Sequence, residues 1–451
     1  MKRFITTLKN IWSIEDLRKR ILYTLGLILV YRIGSYVVLP GVDPSQLGAL
    51  QKQGSEGLMG LLNMFSGGAF SNASVFALGI MPYITASIVI QLFAMVIPRF
   101  QKMQREGESG RRKMNQITRW LTVIITAAQA PAYIKNMMVQ LGANQYALYP
   151  FDGSNPGVFF WISSIVILVA GTLFVMWLGE RITDNGIGNG ISLLIMVGII
   201  ARLPFAISAE FASRLNEGGG LVMFLFELVV WLAVVLLVIL LVQGTRRIPV
   251  QYAKRIVGNK QYGGVRQYIP IKVNAAGVMP IIFAQAIMFL PITIMSYSGN
   301  TDSKFAMAFS DFNSFWYNLV FFILVVVFTF FYTAIAINPK QMADDLKKNG
   351  GFVPGVKPGK KTEEYLEGIL SKITLPGSIF LGIVAILPAV IRLFGVNTQF
   401  AQFFGGTSLL IMVGVILDTL QQIESHLLMR HYDGLTKTGR IKGRSSMSIQ
   451  A

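Results

Sequence analysis

Cysteine is absent from this 451-residue chain, and histidine occurs twice, as His426 and His431. Disulfides and thiolate metal centres are therefore excluded, and two imidazoles leave little material for a metal cage or for histidine-based catalysis. Charge is scarce as well. Asp, Glu, Lys and Arg make up 14% of the residues, 53% are hydrophobic and mean hydropathy is +0.56, whereas soluble domains carry about 25% charged residues. Acidic groups are scarcest, 22 against 40 basic ones, which gives a formal charge of +18. Such an excess points either to phosphate-bearing partners or to basic loops kept on one side of a membrane. The signatures of common catalysts are missing too: there is no GxSxG elbow, HExxH pair or Walker A loop. GVKPGKKT at Gly355–Thr362 is one residue short before its lysine and follows no buried strand. No enzymatic activity, metal or cofactor is expected, and any driving energy must come from a partner.

Long apolar runs are what the chain does have. A helix needs about 20 apolar residues to cross about 30 Å of hydrocarbon. Ten stretches qualify: 21–39, 75–97, 117–138, 157–178, 190–209, 220–243, 274–297, 314–337, 374–393 and 405–428. The fifth is the weakest, closed by Arg202 and Pro204. Residues 1–20 read as an amphipathic helix in the cytosolic interface, with Ile5, Leu8, Ile11 and Trp12 at helical spacing. The apolar run that follows is too long for a signal-peptide core.

Charge sets the orientation. Basic residues crowd the loop after the second stretch, the loop 244–273 after the sixth, the loop 338–372 after the eighth, and the tail 429–451. Opposite loops carry little beyond Lys52, Arg214 and Lys304. The positive-inside rule therefore puts both termini in the cytoplasm.

Two echoes reveal a duplication. SLLIMVG occurs at Ser192–Gly198 and again at Ser408–Gly414, and GIMPYI at Gly79–Ile84 is matched by GVMPII at Gly277–Ile282. They fall in the fifth and tenth stretches and in the second and seventh. Two five-helix halves, 21–209 and 210–428, follow; an odd number of spans in each makes them inverted, with a pathway at their interface. Ahead of the second stretch lies a Gly/Ser/Asn-rich break at Ser66–Ser74. A broken apolar element is tolerated in a membrane only where it faces protein or a water-filled cavity, so this break marks a pore.

The echoed motifs hold no charge. Arg32, Glu227 and Asp418 lie in other stretches or other turns and read either as packing and snorkelling groups or as ion-route groups. The echoes pair Ile80 with Val278, Ile84 with Ile282 and Ile195 with Ile411. Stiff branched side chains in a ring would form an apolar constriction that admits a chain without reading its sequence; each isoleucine alone could equally be packing. Thr85, Gln91, Gln129 and Asn274 are polar groups inside apolar runs, suited to weak interhelical hydrogen bonds. A protein-conducting channel and an inverted-repeat ion-coupled transporter both remain open on this reading; the transporter would need Glu227 or Asp418 to face the pathway.

NMFSGGA, FALGIMPYI, EGESGRR, MWLGE, GIGNGIS, RRIPVQYAKR, KVNAAGVMP, NPKQMADDLKKNGGFVPG and FGGTSLLI together resemble the bacterial SecY family, the channel subunits of the general secretion translocon. The resemblance covers the chain from Arg20 to about Arg430. It implies an all-α polytopic membrane protein of the SecY/Sec61 fold, ten transmembrane helices in two inverted halves around an hourglass pore, in the bacterial cytoplasmic membrane. It implies a plug at about Leu58–Asn72, including Leu61, Asn63, Met64, Phe65, Ser66, Gly67 and Gly68, and a pore ring of Ile80, Ile84, Ile191, Ile195, Ile282 and Ile411. It also implies a lateral gate with a polar cluster of Thr85, Gln129 and Asn274. Implied partners are SecE and SecG subunits, the SecA motor ATPase, the ribosome, signal sequences, nascent membrane proteins, lipids and accessory insertion factors. Arg246, Arg247, Lys254, Arg255 and Lys357 would serve motor or ribosome docking. Lys357 departs from the family's usual arginine and loses its bidentate fork. Leu141–Asn155 fits no family motif.

Overall fold

The computed structural model describes residues 12, 14–44, 47, 60, 63–141, 157–217, 220–252, 255–257, 260–262, 266–285, 287, 288 and 314–437. Its helices are α1 (Glu15–Gly34), α2 (Met81–Val96), α3 (Pro98–Arg105), α4 (Glu108–Leu141), α5 (Val158–Asn185), α6 (Gly190–Glu217) and α7 (Gly220–Gln243). After a β-region come α8 (Phe315–Ala336), α9 (Pro339–Lys348), α10 (Lys360–Arg392), α11 (Thr398–Ala401) and α12 (Gly406–Lys437). Among the described residues six helices are long and apolar enough to cross a membrane, or seven if α2 and α3 count as one broken span. Of the ten expected stretches, 21–39 and 117–138 fall in α1 and α4, which are helical but more polar. The stretch 274–297 lies partly outside the described residues.

Boundaries shift for local reasons. α1 runs unbroken through position 20, so the expected division between an interfacial helix and a first span is not a break in the chain; 1–11 lie outside the described residues. α1 ends at Gly34 rather than 39 because the next residues turn to pair with the break: Leu39 N–H donates to Ala73 C=O at 2.8 Å and Val75 N–H to Val37 C=O at 2.9 Å. The second span starts at Met81, not 75. Residues 66–80 are turns apart from Ser74, which forms a β-bridge with Val38, and Gly67, Gly68, Ala73 and Gly79 are at positive φ, so the expected break at Ser66–Ser74 extends to Ile80. The residue before Pro98 is extended, as proline demands of its neighbour, and the chain turns there into α3. α6 continues through Pro204 to Glu217, past the expected end and half-boundary at 209. An internal proline removes one ladder bond, a loss that packed membrane helices absorb.

The echoed sequences have echoed backbones. Gly79 (φ 54°) and Gly277 (φ 64°) both take the left-handed conformation, and a helix starts two residues later in each case, at Met81 and at 279. SLLIMVG begins at the third residue of α6 and at the third residue of α12. One apolar core sits in the first half around Phe70, Tyr133, Ile134 and Leu168, another in the second around Phe321, Val325, Leu381 and Leu409, and a third between the two.

The two basic loops hold structure that the sequence reading left out. β1 (Thr245–Tyr252) pairs antiparallel with β4 (Arg266–Lys272) and, at its other edge, with β5 (Gly351–Phe352); β2 (Arg255–Val257) pairs with β3 (Lys260–Tyr262). Ile248, Val250 and Ile271 face inward onto Leu346, Val353, Leu366 and Leu370. The loops are thereby joined into one β-platform seated on α9 and α10.

Candidate functional site

The core between the halves is where the sequence-derived pore residues meet. Ile80, Ile195 and Ile411 are buried in it, and Ile84, Ile191, Ile282 and Val278 are partly buried against it. Ile80 and Ile84 stand at the start of α2, Ile191 and Ile195 in the first turns of α6, Ile282 in the helical turns 279–285, and Ile411 in α12. Met64, Phe65 and Ala69 from the expected plug share the same core with Phe400, Phe403 and Phe404. Leu61 lies outside the described residues. The arrangement is an apolar collar with an irregular segment packed into it, and it holds no carboxylate.

Polar groups fix that segment from outside. Arg32 Nη1 donates to Gly67 C=O at 2.6 Å, Arg202 Nη2 to Ser71 Oγ at 3.0 Å, Tyr133 O–H to Phe70 C=O at 2.9 Å and Tyr31 O–H to Ser66 C=O at 3.3 Å. Within it, Ser71 N–H donates to Asn63 Oδ1 and Phe70 N–H to Ser66 Oγ. Glycine is needed here for space as much as for φ. A Cβ on Gly67 would lie 2.9 Å from Gly198 Cα, and one on Gly198 would lie 3.1 Å from Phe65 O. The sequence reading missed these anchors: Arg202 was taken as the end of a span, and Tyr31 and Tyr133 were not singled out. Arg32 and Arg202, set inside apolar runs without an acid nearby in sequence, were the available signal.

Among the described residues no hydrogen bond joins Thr85, Gln129 and Asn274, the expected polar cluster. Thr85 Oγ1 donates to Met81 C=O of its own helix, Gln129 is exposed, and the buried Asn274 Oδ1 has no partner among the described residues. The bond that does cross between α2 and α8 runs from Tyr332 O–H to Gln91 Oε1 at 3.0 Å. It is sealed by Ile88, Ala276 and Phe283, the last edge-on to Tyr332 at 4.8 Å. On the opposite side the halves are tied more heavily. Gly188 N–H donates to Gln422 Oε1, Asn397 N–H donates to Glu210 Oε2 at 2.7 Å, and Arg214 bridges Glu210 and Glu227. Glu227 is thus engaged by an arginine, and Asp418 is exposed on α12.

Arg246 and Arg247 are exposed on β1 and Arg255 lies on β2, while Lys254 is outside the described residues. The register Arg247↔Pro270, Pro249↔Tyr268 and Gln251↔Arg266 puts two guanidinium groups and an exposed tyrosine on the open face of the platform. Lys357 is exposed between β5 and α10, where its C=O accepts from Thr362 Oγ1 at 3.0 Å.

An apolar core between two echoed halves, with a hydrogen-bonded turn packed into it, marks a helical membrane channel. A profile of the SecY family matches residues 74–420, and the chain belongs to that family. It is 43% identical to protein translocase subunit SecY of Streptomyces scabiei over 439 residues, covering 96% of this chain and 100% of that protein. It is 43% identical to the subunit of Mycobacterium tuberculosis H37Rv over 454 residues, covering 97% and 100%. Among solved structures, one described as a protein conducting channel superposes with a TM-score of 0.63 at 18% identity, covering 94% of this chain and 95% of that one. Sec61 from a canine ribosome–channel complex superposes at 0.58 with 16% identity, covering 94% and 95%. The SecY/Sec61 fold of a multi-pass membrane protein follows.

Proposed function

We propose that this chain forms the conduit through which unfolded secretory polypeptides cross the bacterial cytoplasmic membrane, with both termini in the cytoplasm, and from which hydrophobic segments pass sideways into lipid. The observation that carries this reading is the single core holding Ile80, Ile84, Ile191, Ile195, Ile282 and Ile411 together with Met64 and Phe65. Such a collar offers an ion no coordination yet yields to any chain that displaces the segment within it. The seam of Gln91, Tyr332, Ile88 and Phe283 between α2 and α8 is the lateral exit, since one neutral hydrogen bond and apolar packing hold it. A secretory chain arrested in transit should crosslink to a photoreactive residue placed next to Ile84; crosslinks confined to the lipid-facing Val222, which is 80% exposed, would reject the conduit.

SecE and SecG are the membrane partners of this reading, with SecA and the ribosome acting on the cytosolic platform and further insertion factors at its margin. The chain has no nucleotide site of its own, so the partner supplies the energy. The cationic open face of β1 and β4 suits phosphates through a salt-sensitive, sequence-blind attraction. Lys357 stands apart from it, on a backbone turn pinned by Thr362. Lys357→Ala should impair SecA-driven export into proteoliposomes more than ribosome-coupled insertion; equal loss in both assays would remove Lys357 from motor docking. The transporter reading is not favoured, because Glu227 is paired with Arg214.

A further inference from the structure

Two cations of the first half have no acid to answer them. Arg32 and Arg202 sit within apolar runs, and neither takes part in an ion pair among the described residues. Arg32 bonds Gly67 C=O and the Tyr36 hydroxyl. Arg202 donates to Ser71 Oγ and to no other group among the described residues, although a guanidinium carries five N–H donors. The two head groups rest against neighbouring glycines: a Cβ on Gly67 would lie 3.0 Å from Arg32 Nη1, and one on Gly68 would lie 2.9 Å from Arg202 Nη2. Two like charges are thus held near each other and half-buried, an arrangement that is costly without a compensating negative charge.

A cavity of about 40 Å³ opens beside Arg202. Its polar lining is Asn63 from the irregular segment, Arg202 from α6, and Gln399 and Gln402 in and just after α11; the rest of its wall is glycine and apolar side chains. Gln402 is 8% exposed, and neither glutamine side chain makes a hydrogen bond among the described residues. The lining therefore offers a guanidinium and carboxamide N–H groups, and it holds no carboxylate. The volume suffices for about three water-sized spheres, enough for a halide with a water beside it and too little for a phosphorylated metabolite. We propose that this cavity is a binding site for a small monovalent anion of chloride size, held by Arg202 together with Gln399 and Gln402. The anion supplies the counter-charge that Arg202 lacks, through charge-assisted hydrogen bonds, and ties the irregular segment at Asn63 to α6 and to the turn after α11. Water alone would fill the space but leave both guanidinium groups uncompensated, and Arg202 repels a cation.

Melting of the full-length chain in detergent tests the site. At a constant ionic strength of roughly 0.15 M, replacing gluconate by chloride should raise the melting temperature saturably, by about 2 °C, and bromide should act like chloride. Gln402→Leu leaves the Arg202–Ser71 bond in place. It should raise the chloride concentration that gives half of the effect on the order of tenfold, as expected for one lost hydrogen bond to a charged group. Arg202→Gln should abolish the effect. In crystals grown with bromide, anomalous scattering should place the ion within hydrogen-bonding reach of the Arg202 guanidinium, and more weakly in Gln402→Leu. Equal melting of the wild type in chloride and gluconate overturns the proposal. So does a halide effect that persists undiminished in both variants, which marks general salt or adventitious binding, and so does bromide located only elsewhere. Should Arg202→Gln fail to fold, Gln402→Leu and the bromide position still decide. None of these readouts involves a chain in transit, so their outcome is separate from that of the crosslink to Ile84, which tests the channel reading itself.

Discussion

Ile80, Ile84, Ile195 and Ile411 changed together to glycine should make the resting channel conduct ions in planar bilayers, with the mean current rising on the order of tenfold or more, as expected when a dewetted constriction is widened. Three of the four are buried in the core between the halves and the fourth is packed against it. Each replacement removes a branched side chain whose burial is worth about 1.5–3 kcal/mol. No single change should suffice, because five isoleucines, Val278 and the plug's Met64 and Phe65 still fill the collar. The segment packed into the collar is anchored by residues that the quadruple variant leaves intact. The current should therefore be intermittent, and should become continuous once Arg32 and Arg202 are also neutralised. A silent quadruple variant would take the isoleucines out of the seal and leave the plug as the sole barrier.

What could be read in the sequence was what repeats or what has a period. GIMPYI and GVMPII were visible as letters, and their shared backbone, a left-handed glycine two residues before a helix, follows because glycine reaches that conformation without strain. Five of the isoleucines were found because the echo supplied a register and Ile191 came from the resemblance alone; all six lie in or against one core. Contacts between distant polar groups were not legible in the same way. Thr85, Gln129 and Asn274 were joined on resemblance alone and share no hydrogen bond among the described residues, whereas Gln91 was noticed without its partner, because nothing local in sequence links it to Tyr332, 241 residues away. Pro204 and Arg202 looked like the end of a helix by local rules. Tertiary packing overrode them: Ser71 gives the guanidinium a partner inside the fold. The platform strands were overlooked because their charges suggested open loops, although Ile248 and Val250, and likewise Ile269 and Ile271, already showed a two-residue period.

Arg214→Ala should be the most destabilising single change in the protein outside the collar. Its guanidinium lies 3.0 Å from Glu210 and bonds Glu227, and the two acidic side chains are 0% and 5% exposed. Removing the cation that joins two buried carboxylates strands both, and breaking a buried ion pair in this way costs about 3–5 kcal/mol. Glu210 also accepts from Asn397 N–H, and Glu227 Oε2 already lacks a partner among the described residues, so little else can absorb the stranded charge. Glu227→Gln should be far milder, since Arg214 keeps Glu210 and one carboxylate charge is gone. The Arg214→Ala/Glu227→Gln double variant should therefore recover part of what Arg214→Ala loses, an ordering that thermal melting in detergent can read directly. A melting temperature for Arg214→Ala close to that of the wild type would refute the assignment. The network ties α6 to α7 and to the turn before α11. Its loss should therefore lower export and insertion together.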